Sequence, residues 1–131
     1  MRHAFLATIA ASSLLLFTVS AVAQDRDRDD RRDDSRHGRM FDRVRDDVSR
    51  VQDSTPYFSG DQFRLVRVKE ELNELQARYD EHGYDSGKMD DVIHALERVV
   101  ADNHLAGHER DMLNDDLNRL RDFRDHHEGY R

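Results

Sequence analysis

Two kinds of residue in this chain could do chemistry: its histidines and its adjacent pairs of acids. Of eight histidines, His104 and His108 are four apart, a metal-ligand spacing where both stand on one helix. They lack the Glu that follows the first His of a metalloprotease helix, and Gly107 lies between them at an expected helix start. His82, His126 and His127 fall at expected helix ends. There they could capture zinc or copper at the surface, or only favour the negative end of a helix dipole. Metal buffering requires at least three of His82, His104, His108, His126 and His127 to converge. His94, one place from Ile93, reads as a boundary residue.

The acid pairs are Asp46-Asp47, Glu70-Glu71, Asp90-Asp91 and Asp115-Asp116, one pair in each expected helix. A di-metal oxidase site in a four-helix bundle needs a Glu on each of two helices and Glu-x-x-His on the others. Only Asp91-x-x-His94 approaches that motif. The pairs on the first, second and fourth helices flank or oppose the apolar stripe, so they read as solvated faces. Asp46/Arg50 and Asp115/Arg119 are then the natural ion pairs at i, i+4.

Other chemistries lack their residues. The chain has no cysteine, Gly-x-Ser-x-Gly, glycine-rich phosphate loop or dinucleotide fingerprint. Its serines cluster at helix starts, where hydroxyls cap backbone amides. Asp25, Asp27 and Asp29 alternate like a calcium loop, but Asp30 stands where its glycine belongs and Arg36 where its final acid belongs. The chain therefore reads as non-enzymatic, with no catalytic, cofactor-binding or metal residues assigned.

The elements that position these residues follow from patterning. Residues 1–23 run from Arg2 and His3 through an apolar stretch to small residues at Ala21 and Ala23. This is the pattern of a secretory signal peptide, with cleavage expected after Ala23. Residues 24–39 hold six Asp and six Arg and no apolar residue, which predicts a disordered mixed-charge tail. Residues 40–131 carry four amphipathic stripes. Phe41, Val44, Val48 and Val51 predict a helix over 40–54, closed by the residue before Pro56. Phe63, Leu65, Val66, Val68, Leu72, Leu75 and Tyr79 predict one over 60–82, with a Ser59/Gln62 capping box and Gly83 as its C-terminal cap. Met89, Val92, Ile93, Leu96, Val99 and Val100 predict a third over 86–102, capped by Asp85 or Ser86. Met112, Leu113, Leu117, Leu120 and Phe123 predict a fourth over 106–127.

LNELQARYDEHGY at 72–84 and LNRLRDFRDHHEGY at 117–130 align with one insertion. Their 45-residue offset also carries Val44, Val48 and Val51 onto Met89, Ile93 and Leu96. Two copies of one helical hairpin are too few for a stacked solenoid. They predict an all-α fold, a small antiparallel four-helix bundle whose hairpins bury their stripes against each other.

Without disulfides, packing alone must hold such a domain. Removing Arg2 with the signal leaves 20 basic residues against 28 acids, a formal −8. That charge disfavours nucleic acid and anionic membranes. Export and all-helical character resemble the periplasmic stress chaperones in organisation, although the Leu-Thr-x-x-Gln signature of that family is absent. VVADNHLAGHERDMLNDDLNRLRDF at 99–123 resembles a pattern in uncharacterised short exported proteins of Gram-negative bacteria. There a Ser-Pro start often occupies the place of Ala106-Gly107. The resemblance implies a helical periplasmic protein and supplies no activity. Three functions follow as expectations: a protein-binding or stress-related exported module, surface metal buffering, or a structural bundle that forms homo-oligomers. Metal buffering predicts a zinc- or copper-dependent rise in the thermal melt, and a melt unmoved by either metal removes it.

Overall fold

The structure, a computed structural model, describes residues 23–129, with side chains described over 36–129. Four helices follow one another: α1 (Ala23–Ser54), α2 (Gly60–His82), α3 (Ser86–Asp102) and α4 (Gly107–Glu128). No strand occurs among the described residues. The expected signal peptide falls almost wholly outside them, as does Tyr130, the closing residue of the second tandem copy.

α1 begins at Ala23, ahead of the start expected at residue 40. His37 anchors its downstream part, with its Nδ1 2.6 Å from the Tyr79 hydroxyl on α2. The helix ends as expected ahead of Pro56, where the Thr55 hydroxyl donates to the Val51 carbonyl at 2.7 Å.

The helix ends obey local chemistry. Ser59 accepts from the Gln62 amide at 3.1 Å to start α2. The Gln62 side chain does not complete the box, and its Oε1 is buried without a hydrogen-bond donor. Gly83 closes α2 at φ +80°, a region that costs glycine little and other residues more. Asp85, not Ser86, caps α3 by accepting from the Lys88 amide at 3.0 Å. At α4, Ala106 has no acceptor to offer; only the Glu109 carboxylate reaches back to the Ala106 amide, at 2.9 Å.

The core is built from the stripes. Among the described residues seventeen hydrophobic side chains are buried, including Phe41, Val44, Leu65, Leu72, Met89, Ile93, Leu113 and Leu120. α2 packs on both α1 and α3, α4 on α3 and α1, closing a ring whose α2–α3 side is the most extensive and whose α1–α4 side is the least. Positions 45 apart share their fate: Val44/Met89, Val48/Ile93, Val51/Leu96, Val68/Leu113, Leu72/Leu117 and Leu75/Leu120 are all buried. The polar rim ties neighbours together through Arg45–Asn73 at 3.1 Å and Arg121–Glu97 at 2.6 Å. Asn103 accepts from Arg64 at 2.7 Å and donates to the Asp61 carbonyl at 3.0 Å. That buried amide pins the end of α3 to the start of α2.

Two substitutions test this account by chemical denaturation. Ala106→Ser supplies the missing cap acceptor and should raise stability by about 1 kcal/mol. Leu72→Ala opens a cavity in the centre of the core and should cost about 3 kcal/mol.

Candidate functional site

Chain geometry first places three large apolar side chains in solvent. Tyr57 is 83% exposed, Phe58 91% and Phe63 64%, on the α1–α2 turn and the first turn of α2. The second helix's expected apolar stripe is therefore split. Phe63 leaves the core, while Tyr79 packs half-buried against it. Phe58 also stands at φ +61°, the left-handed region where a β-carbon is crowded. An aromatic residue held there and left in water gains nothing from the fold that explains it.

Beside this turn lies a hollow of about 420 Å³ lined by Ser54, Thr55, Pro56, Ser59, Gly60, Asp61, His104 and Glu109. Its two carboxylates tie α2 to the α3–α4 connection and α4 to α1. The His104 backbone amide donates to Asp61 at 2.9 Å, and this hydrogen bond, more than the His104 ring or Arg64, holds Asp61 below the usual carboxylate range. The Ser54 hydroxyl donates to Glu109 at 2.7 Å and, with the Ala106 amide, lowers Glu109 likewise.

The opposite end is aromatic. His37 and Phe41 from α1, Tyr79 from α2, and Phe123 and His127 from α4 pack edge-on or tilted. Tyr84, from the α2–α3 connection, stacks on His127 with centroids 4.7 Å apart. The Gly-Tyr exit of the first tandem copy is thus packed on the histidine of the second. Burial, and then Glu128 at 3.2 Å, push the Tyr84 hydroxyl well above its ordinary value.

The histidines do not converge. His127 donates its Nδ1 proton to the Phe123 carbonyl at 2.9 Å and meets His126 and His37. His82 is exposed beside Glu81. His104 lies at the other end on Asp61, and His108 is exposed. His94 is exposed on α3 in a cleft of about 270 Å³ shared with Arg64, Arg67 and Arg98. Among the described residues, no group of three or more His, Asp or Glu side chains is placed to hold a metal ion.

The acid pairs depart most from expectation. They are not wholly solvated: Asp47 is 5% exposed, Glu71 4% and Asp116 0%. Arg50 and Arg119 take the second acid of each pair, as Asp47/Arg50 at 3.2 Å and Asp116/Arg119 at 3.0 Å, not Asp46/Arg50 and Asp115/Arg119. The signal was present in the spacing. Val44-x-x-Asp47-Val48-x-x-Val51, Val68-x-x-Glu71-Leu72-x-x-Leu75 and Leu113-x-x-Asp116-Leu117-x-x-Leu120 place each acid within the stripe itself. On α3 the same position carries Val92.

Compared with known proteins, the chain matches no family model, no curated protein and no solved structure. No helix among the described residues is long and apolar enough to cross a membrane.

The lowered values of Asp61 and Glu109 fix a direction for acid unfolding. Both carboxylates contribute stability above their ordinary 3.8 and 4.5 and lose it as pH falls through the lowered folded values. Asp61→Asn with Glu109→Gln should flatten the fall in melting temperature below about pH 4.5 and leave its slope above that pH unchanged.

Proposed function

We propose that this chain is an exported, non-enzymatic helical protein that binds apolar segments of other proteins. In this reading the mature chain begins at Gln24 after signal cleavage and works in the periplasm. Its four helices form an antiparallel bundle of two hairpins, which leaves both helix connections of the first and second copies free to carry contacts. The observation that carries the reading is the exposed set Tyr57, Phe58 and Phe63. Aromatic side chains supply large contact area at low conformational cost and are enriched where proteins bind each other.

The backbone at Phe58 supports the same reading. A residue at φ +61° costs of order 1 kcal/mol relative to glycine, and strain of that kind gathers at contact sites. The sequence does not use glycine there, although Gly60 follows two positions later. Retaining Phe at a strained, solvated position has a use only if its ring meets something outside the chain.

The reading separates stability from binding. Phe58→Gly relieves the backbone and removes the ring, so it should leave stability unchanged or raise it by up to about 1 kcal/mol. The same variant, and more strongly the pair Phe58→Gly with Phe63→Ser, should lose suppression of aggregation of a reduced, unfolding client protein. Suppression equal to that of the unaltered protein contradicts the reading. A native mass by light scattering that falls from a multiple of the chain to one chain in the double variant would assign the patch to self-association instead.

A further inference from the structure

We propose that Asp47 on α1 and Asp116 on α4 form a proton-binding site that clamps these two helices together when they share a proton and loosens the seam when both ionise. The geometry points to a proton rather than a metal ion. Asp116 is wholly buried and Asp47 nearly so. Asp47 acts on Asp116 from across the α1–α4 seam, and the buried Asp116 Oδ2 has no hydrogen-bond donor. Two ionised carboxylates offer each other only acceptors. A single shared proton supplies the missing donor and halves the buried charge.

The cations around the pair balance it only in part. From α1, Arg43 approaches Asp47 at 4.0 Å and Arg50 at 3.2 Å, and Arg43 also acts on Asp116. From α4 itself, Arg119 takes Asp116 Oδ1 at 3.0 Å. Charged side chains elsewhere on the packed helices have their own partners: on α3, Glu97 has Arg121 and Asp90 has Arg124, and on α2, Lys69 has Gln52. The tandem makes the contrast sharp. Moving 45 residues carries Glu71 onto Asp116 but places Val92 where Asp47 stands. Glu71 has Arg67 on its own helix and Lys88 at 3.7 Å from α3. The α1–α4 seam, the least extensive of the ring, sets Asp47 against Asp116.

Burial first and the Asp47 charge second push Asp116 up to about 6 from 3.8. A raised carboxylate favours the closed seam fully below its ordinary value and loses that advantage as pH rises toward 6. The proton clamp therefore weakens toward neutral pH, opposite in sign to the acid loss at Asp61 and Glu109. An opened seam would bare the apolar faces around Val44, Val48, Leu113 and Leu117. His37 and His127 are titratable groups at the aromatic end of the same seam, roughly 15 Å along α1 from Asp47. The substituted protein, not the pH change alone, must therefore decide the matter.

Amide hydrogen exchange of α1, normalised to intrinsic rates, tests the clamp on the full protein at pH 5 and pH 7.5. Protection over 41–51 should fall by up to about tenfold at the higher pH. Asp116→Asn places an amide donor where the proton sits and should hold the protection high at both. Asp115→Asn, an exposed neighbour, should keep the original fall. Protection that is equal at both pH values, or that falls as steeply in Asp116→Asn, overturns the proposal. Should Asp116→Asn fail to fold, carboxyl carbon NMR of the unaltered protein decides. Coupled titration with one step near 6 supports the clamp, and two independent titrations in the usual aspartate range overturn it.

Discussion

Burial of four apolar stripes against one another is the interaction on which everything else in this chain depends. No cysteine is available for a disulfide, and helices such as α2, α3 and α4 take most of their stability from tertiary packing of an amphipathic face. The helices persist because Phe41, Leu65, Leu72, Met89, Ile93, Leu113 and their neighbours leave water together. Surface ion pairs on the rim add little individually. Their role is to fix which helix end meets which, as Asn103 does for α3 and α2.

That same packing creates the electrostatic tension. A stripe wide enough to close the ring takes in the position ahead of the central Val or Leu, and in three helices that position is an acid. Burying a carboxylate is costly unless it is paired or protonated. The α2–α3 side answers with Lys88, which also binds Glu74 at 2.5 Å and so lowers it. The α1–α4 side sets Asp47 beside Asp116 and answers with arginines that are mostly on the same helices. One fold thus contains a firmly joined side and a conditional one, while the exposed aromatics of the α1–α2 turn stand apart from both.

Much of this was legible in the residues. The helix spans at 60–82 and 86–102, the Ser59 cap, the break before Pro56 and the positive φ at Gly83 follow from stripe spacing and turn chemistry. So does the shared burial of positions 45 apart. The continuation of α1 back to Ala23 was not legible, because residues 24–39 contain no apolar residue and so no hydrophobic period to reveal it. Asp47, Glu71 and Asp116 are buried because their spacing outranks their charge. Each sits three residues after one buried apolar position and four before another, which is a core register whatever its side chain. The exposure of Phe63 was hidden for the converse reason: an apolar residue one place off the stripe reads as widening it. Which histidines meet depends on the fold of the whole ring, and nothing in their sequence spacing could pair His37 with His127.

The central claim is a hierarchy of cohesion within one core: α2 and α3 form its firm side, and α1 docks on α4 through its weakest. Native-state hydrogen exchange across low denaturant concentrations, at a single pH, tests this most directly. The account predicts that amides of α2 and α3 around Leu72 and Ile93 open only with global unfolding, while those of α1 around Val44 and Val48 open earlier through a smaller, local event. Equal opening free energies for all four helices, or α1 outlasting α2 and α3, would contradict it.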